Sequence, residues 1–177
     1  MTPPTPPTGP NPLLALSAAD LAAAVNSGEV SAVEVVSAAL ARIEAHRDGH
    51  AFVTVCGAEA MDRARTNPKG PLAGVPLGVK DLFDTTGIRT TAGSAIVVGK
   101  ANMHEFAWGT TSRNPHFGTV ANPRLPGRVA GGSSGGTAAA LADYQATIGL
   151  GTDTGGSIRI PSALERPKPC GRSPSLG

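Results

Sequence analysis

Two clusters of glycine and serine place the strongest constraint on the fold of this chain: GGSSGG at 131–136 and GTDTGGSIR at 151–159. Glycine adopts backbone conformations that other residues avoid, so a glycine-rich turn can point several N–H groups at one place. The first cluster precedes the apolar helical segment TAAALA (137–142), and the second follows the short apolar strand ATIGLG (146–151). The clusters therefore predict two tight turns at the ends of neighbouring elements.

The rest of the sequence predicts helices alternating with strands, which is typical of an α/β sheet. Two capping boxes, SAAD at 17–20 and SAVE at 31–34, predict helices that run to about Gly28 and His46. The other predicted elements are a strand at 51–56, a helix at 58–65, and strands at 74–81 and 95–99. Because only 3% of the residues are aromatic, aliphatic side chains and alanine must fill the core of one domain.

Composition and charge argue against several function classes. The chain has 177 residues and a formal net charge of +2, with no basic run that would favour a nucleic-acid partner. It has no signal peptide and no apolar run long enough for a membrane span, which favours a cytoplasmic protein. Cys56 and Cys170 form no disulfide framework, and the four histidines lack metal-binding spacing. We therefore expect two reduced thiols, no metal and no membrane contact.

Three interpretations of the glycine–serine clusters are open from the residues alone. They could be plain flexible loops. They could bind an anion at a helix start, although neither GxxxxGK[ST] nor GxGxxG is present. They could also support acyl transfer, in which a serine attacks a carbonyl and backbone N–H groups stabilise the developing oxyanion. In that case DTGGS (153–157) would form a nest of N–H groups around Ser157.

The acyl-transfer interpretation needs a base, and Lys80 is the candidate. No His/Asp pair is evident from spacing, whereas Lys80 ends the apolar strand GVPLGVKD (74–81). The ordinary pKa of lysine is about 10.4, so a base that acts near pH 7 needs a pKa depressed by roughly 3. Burial at the end of the strand would supply this. The alternative is a lysine that simply reaches solvent from the end of a strand.

Five segments together resemble the amidase signature family. In chain order they are GVPLGVKD, GKANMHEFAWG, NP at 122–123, GRVAGGSSGGTAAALA and GLGTDTGGSIRIPSA. The resemblance extends from about Leu16 to Ala163 and implies a mixed sheet flanked by helices. It also implies that small-molecule amides are cleaved at the carbon–nitrogen bond by a Ser–Ser–Lys triad, through an acyl-enzyme and without a cofactor. One branch of the family is the glutaminase subunit of a tRNA-dependent amidotransferase, which needs partner subunits.

The resemblance also assigns roles to individual residues. Ser157 corresponds to the nucleophile, Ser133 to a bridging serine on a cis peptide bond, and Lys80 to the base. The substrate oxyanion would be bound by the backbone N–H groups of Thr154, Gly155, Gly156 and Ser157. Supporting positions fall on Ser134, Asp153 and Arg159. For three further residues we expect structural roles: a solvated or structural role for His104 and Glu105, and a core or pocket-wall position for Trp108.

The chain also departs from the family pattern. After TTAGS (90–94) a helical segment of the family is missing, and the C-terminal LERPKPCGRSPSLG is charged and rich in proline. The family's long C-terminal portion has no counterpart. We therefore expect a disordered Pro/Thr-rich tail at 1–12, a partial amidase domain at 13–163 and an irregular tail at 164–177. A third function class, a non-catalytic remnant of an amidase, stays open beside the hydrolase and the amidotransferase component.

Overall fold

The computed structural model describes residues 10–85 and 92–165, and it shows a mixed α/β fold. The helices are α1 (Ala18–Ser27), α2 (Ala32–Ala45), α3 (Gly57–Arg65), α4 (Gly135–Ala142) and α5 (Arg159–Glu165). The strands are β1 (Phe52–Val55), β2 (Pro76–Lys80), β3 (Ile96–Ala101) and β4 (Ile148–Leu150). Most of the two expected tails lies outside the described residues.

The four strands form one sheet in the order β1-β3-β2-β4. β1 runs antiparallel to β3, whereas β2 pairs in parallel with both β3 and β4. The register places Val79 opposite Leu150 and Lys80 opposite Ala101. The carboxyl ends of three parallel strands therefore meet at one edge, and the predicted mixed sheet is confirmed.

Local sequence explains where the first two helices begin and end. The Ser17 hydroxyl accepts a hydrogen bond from the backbone N–H of Asp20 at 3.1 Å, and α1 ends at Gly28, whose φ is 82°. Ser31 and Glu34 form a reciprocal capping box at the start of α2. Both predicted helices are confirmed because their signals are short-range side-chain chemistry.

The core is made of aliphatic side chains and alanine, as the composition requires. Helices α1, α2 and α3 contribute to a large cluster with the sheet, whose fully buried side chains include Leu21, Val35, Leu77 and Ile96. Helix α4 packs against all four strands and is almost entirely buried. A side chain at Gly136 would collide with the backbone carbonyl oxygens of Ala51 and Asn102, so glycine is required where this helix meets the sheet.

Three boundaries differ from the prediction. Helix α4 begins at Gly135, earlier than 137, because burial against the sheet outweighs the low helix propensity of glycine. Helix α5 was not predicted, since Pro161 argues against a helix, but Pro161 lies in the first turn, where its missing N–H costs no hydrogen bond. This helix includes residues 164–165 of the expected tail. At the other end, Asn11 caps a short 3-10 helix, Pro12–Ala15, that begins inside the expected N-terminal tail.

Candidate active site

Lys80 lies at the carboxyl end of β2 and is completely buried. Its Nζ is 2.6 Å from Ser133 Oγ and 2.7 Å from Thr152 Oγ1. The first distance joins two residues that the sequence assigned to one site, although 53 positions separate them along the chain. The structure therefore excludes the alternative that this lysine reaches solvent.

Burial also changes the acidity of the Lys80 amine. Removal from water disfavours the charged ammonium and lowers the pKa of Lys80 to about 8, against a smaller opposing effect from the negative charge of Asp153. With a pKa near 8, a sizeable fraction of this amine is neutral at mildly alkaline pH. A neutral amine has a lone pair and can accept a proton.

Ser133 is held by its backbone. The peptide bond between Gly132 and Ser133 is cis, as the resemblance implies. The carbonyl oxygen of Ser133 accepts hydrogen bonds from the backbone N–H of His104 at 3.1 Å and from the Ser112 hydroxyl at 3.3 Å. Ser112 also accepts the N–H of Gly135 at 3.1 Å. These contacts fix the turn from which the Ser133 hydroxyl reaches Lys80.

Ser157 is partly buried and lies just before α5. Its carbonyl oxygen accepts the backbone N–H of Ser134 at 3.1 Å, so the two glycine–serine clusters are in direct contact. Within residues 10–85 and 92–165, no hydrogen bond joins the hydroxyls of Ser133 and Ser157. The structure thus forms the lysine side of the expected relay and brings Ser157 alongside it through the backbone.

Asp153 organises the turn that carries Ser157. Its carboxylate accepts the backbone N–H groups of Gly156 at 2.7 Å, Ile158 at 3.2 Å and Arg159 at 3.1 Å. It also binds the Arg159 guanidinium through Nε at 2.9 Å. Hydrogen bonds from this guanidinium hold the pKa of Asp153 well below its usual range. Asp153 and Arg159, expected as supporting residues, are thus paired with each other.

The predicted oxyanion-binding N–H groups differ in availability. The N–H of Gly156 is already engaged by Asp153, so in this geometry it is not free to bind a substrate oxygen. The N–H groups of Thr154, Gly155 and Ser157 have no acceptor among the described residues. Gly156 has a φ of 116°, which requires glycine in this turn. The nest therefore offers three free donors from this turn.

Sequence reasoning missed Thr152, the second hydrogen-bond partner of Lys80. Its signal was its position directly after the strand segment ATIGLG, but only the parallel register of β2 and β4 shows that it meets Lys80. Ser134 holds Thr152 from the other side, because its hydroxyl is 3.3 Å from the Thr152 carbonyl oxygen. Ser134 thus braces the residue that contacts Lys80.

The segment at 104–116 behaves largely as expected. His104 contacts Thr111 Oγ1 through Nδ1 at 3.2 Å, and Glu105 forms an ion pair with His116 at 3.2 Å near the surface. Trp108 was expected in the core or a pocket wall, but it is 86% exposed. The described residues bring no group of three or more His, Cys, Asp or Glu side chains together for a metal ion. In the same parts of the chain, no helix is both long enough and apolar enough to span a bilayer.

The fold and the site place this chain among the α/β amide hydrolases. A bacterial aryl acylamidase of the amidase signature enzymes has a TM-score of 0.78 at 32% identity, over 86% of this chain and 38% of that chain. A 6-aminohexanoate cyclic dimer hydrolase complexed with substrate has a TM-score of 0.78 at 28% identity, over 84% of this chain and 36% of that chain.

The chain belongs to the Amidase family. The family's sequence profile matches residues 34–97 and 94–166. A glutamyl-tRNA(Gln) amidotransferase subunit from Streptomyces avermitilis is 44% identical over 183 residues, which cover 86% of this chain and 36% of that protein. The corresponding subunit from Salinispora arenicola is 45% identical over 86% of this chain and 37% of its own length.

These matches also show that the chain is partial relative to its relatives. It spans little more than a third of the length of the amidotransferase subunits, 36% in the Streptomyces avermitilis protein. The two stretches that match the family profile meet at residues 94–97. This junction falls at the point where the sequence predicts an internal deletion, directly after TTAGS.

Proposed function

We propose that this chain carries the acylation machinery of an amidase, with Ser157 as nucleophile, Ser133 as proton relay and Lys80 as base. One observation carries the proposal: a fully buried lysine, with a pKa lowered to about 8, lies 2.6 Å from the hydroxyl of Ser133. Burying an amine is costly unless it is paired or functional. Lys80 has no carboxylate partner among the residues described, and both of its hydrogen-bond partners there are hydroxyl groups.

The proposed first step is acylation. Neutral Lys80 takes the proton of the Ser133 hydroxyl, and Ser133 takes the proton of Ser157 as Ser157 Oγ bonds to the amide carbonyl carbon. The electron pair of the carbonyl moves onto its oxygen, where the free N–H groups of Thr154, Gly155 and Ser157 stabilise the charge. The tetrahedral intermediate then collapses, the carbon–nitrogen bond breaks, and the proton on Lys80 returns through Ser133 to the leaving amine.

The second step releases the acyl group. Water gives its proton to the same relay and attacks the ester carbon, and the carboxylic acid leaves as Ser157 regains its proton. The second serine has a chemical purpose in this scheme, because a single lysine nitrogen cannot easily reach both the nucleophile and the leaving nitrogen. Contact between Ser133 and Ser157 must tighten when substrate binds, as catalytic hydrogen bonds in unliganded sites often do.

A fluorophosphonate probe, which phosphonylates activated serines, tests the proposal directly. We expect the wild-type chain to be labelled and Ser157→Ala to be unlabelled. The matched control is Ser162→Ala on helix α5, which removes a neighbouring hydroxyl outside the proposed triad. Equal labelling of wild type and Ser157→Ala would contradict the assignment of the nucleophile. Absence of labelling in the wild type would favour the non-catalytic remnant.

A second candidate function is the amidase subunit of a tRNA-dependent amidotransferase, which would release ammonia from glutamine in the cytoplasm. The favouring observation is the 44% identity to the amidotransferase subunit of Streptomyces avermitilis. Its partner proteins would be the other subunits of that enzyme, with no direct nucleic-acid contact by this chain. Glutaminase activity that emerges only when those subunits are added would support this function, and hydrolysis of simple amides by the chain alone would favour the first.

A further inference from the structure

The Lys80 amine has a second hydrogen-bond partner that the proposed proton relay does not use. Lys80 Nζ is 2.7 Å from Thr152 Oγ1, almost as close as it is to Ser133 Oγ. The amine is fully buried and both partners are hydroxyls. The geometry around this nitrogen is therefore set by two side chains, one of which lies outside the relay.

The fold places Thr152 where it is through the sheet. Strands β2 and β4 pair in parallel, with Val79 opposite Leu150 in the last registered pair, so Lys80 and Thr152 both lie just beyond the same edge. The backbone N–H of Thr152 is 3.4 Å from Ser134 Oγ, and its carbonyl oxygen is 3.3 Å from the same atom. Thr152 is thus fixed both by the strand and by the residue that follows Ser133.

A neutral amine has two N–H bonds and one lone pair. For Lys80 to accept the proton of Ser133, the lone pair must point at the Ser133 hydroxyl and an N–H must point elsewhere. The oxygen of Thr152 is the acceptor that lies in hydrogen-bond range for that N–H. We infer that Thr152 is a positioning residue, which orients the lone pair of Lys80 toward Ser133. This inference rests on the proposed function.

The orientation has a consequence for charge as well. An ammonium group makes stronger hydrogen bonds than a neutral amine, so an acceptor beside it stabilises the charged form more than the neutral form. Thr152 therefore opposes the effect of burial on Lys80. Removing its hydroxyl lowers the pKa of Lys80 further and, at the same time, lets the neutral amine rotate away from Ser133.

The test compares Thr152→Val, which is nearly isosteric but lacks the hydroxyl, with Thr152→Ser, which keeps it. The matched control is Thr137→Val, because the Thr137 hydroxyl bonds the carbonyl of Leu150 on the same strand but does not contact Lys80. The rate of fluorophosphonate labelling is measured between about pH 6 and 10. We expect about a tenfold loss in Thr152→Val, as for one lost charge-assisted hydrogen bond, and a pH midpoint shifted to lower pH. Thr152→Ser retains most of the rate, and Thr137→Val labels like the wild type.

A second measurement does not depend on activity. The Lys80 amine is titrated by NMR in isotope-labelled protein that carries Ser157→Ala, with and without each Thr152 substitution. We expect a lower Lys80 pKa with Thr152→Val and an unchanged one with Thr152→Ser. An equal Lys80 pKa in Thr152→Val and the parent overturns the inference, as does a Thr152→Ser variant that behaves like Thr152→Val.

The two proposals can fail separately. If the wild-type chain is not labelled, the proposed function fails, and the NMR titration still decides whether Thr152 sets the state of Lys80. If the wild type is labelled and Thr152→Val labels at the same rate and with the same pH midpoint, the positioning role fails and the proposed function stands. Should Thr152→Val unfold, Thr152→Ala removes the same hydroxyl without adding a methyl group and gives the same comparison.

Discussion

The two halves of the candidate site are built in different ways. The half that holds the base is formed by the strand ends: Lys80 is buried and bonded to two hydroxyls. The half that holds the nucleophile is a turn at 153–157, where Thr154 and Gly155 are exposed and Asp153 bonds the turn to itself. The sheet therefore fixes the group whose pKa must be altered, whereas a loop carries the group that must meet the substrate.

The largest expected effect is in the half that holds the base. Lys80→Met keeps the apolar stem and removes the amine, so we expect fluorophosphonate labelling to fall by about a thousandfold, within the range for loss of a general base. The pKa of Lys80 is lowered from 10.5 to about 8, so the folded state opposes its protonation. The resulting loss of stability is complete below pH 8 and disappears as the pH rises to 10.5.

Lys80→Met should therefore gain stability, by about 3 kcal/mol at pH 7, while it loses activity. Urea unfolding at several pH values measures this gain. A variant that is less stable than the wild type at pH 7 would show that the amine contributes to packing or hydrogen bonding more than its burial costs.

The next effect concerns Glu165 at the end of α5, in the half that holds the nucleophile. Its carboxyl group is fully buried, and neither oxygen has a hydrogen-bond partner within the described parts of the chain. Burial raises the pKa of Glu165 from 4.5 to about 9, opposed in part by Arg124 and reinforced by Asp143. The folded state therefore binds a proton that the unfolded state releases, and stability falls as the pH rises from 4.5 to 9.

Glu165→Gln removes this titration. We expect a stability that changes less with pH and a gain of up to about 3 kcal/mol at pH 7. Unfolding curves at pH 5 and pH 8 provide the comparison, with Glu44→Gln on the exposed face of α2 as control. Parallel pH profiles of wild type and Glu165→Gln would contradict the prediction.

A smaller effect on activity is expected from Asp153→Asn, which keeps an acceptor for the Gly156 N–H but removes the charge that binds Arg159. The turn should become more mobile, and the rate of labelling should fall by about tenfold. The Lys80 pKa should also fall slightly, because the negative charge of Asp153 favours the ammonium form. If labelling is faster in Asp153→Asn, release of the Gly156 N–H matters more than order in the turn.

The smallest effect is expected at Thr147, just before β4. Its hydroxyl is buried without a hydrogen-bond partner among the residues described, so Thr147→Val should leave stability unchanged or raise it by up to about 1 kcal/mol. Thr137→Val, which removes a bonded hydroxyl from α4, should instead lower it by about 1 kcal/mol. Thermal unfolding of the two variants gives the comparison, and an equal loss in both would contradict it.

Sequence predicted the features that depend on local chemistry. The caps at Ser17 and Ser31 and the terminal position of Lys80 on a buried strand are visible in a few consecutive residues. The contact of Lys80 with Thr152 could not be predicted, because it depends on the register of two strands far apart in the chain. The burial of Glu165 depends on how α5 packs, and Pro161 argues against any helix in that segment of the sequence.

Ser134 connects the two halves of the site. Its hydroxyl contacts the backbone of Thr152, and its N–H donates to the carbonyl of Ser157, while its neighbour Ser133 reaches Lys80. Two consecutive residues thus act as a common anchor for the strand edge and the nucleophile turn. A rigid shift at the start of α4 would carry both along together, so the spacing between amine and nucleophile would tolerate small movements of the helix.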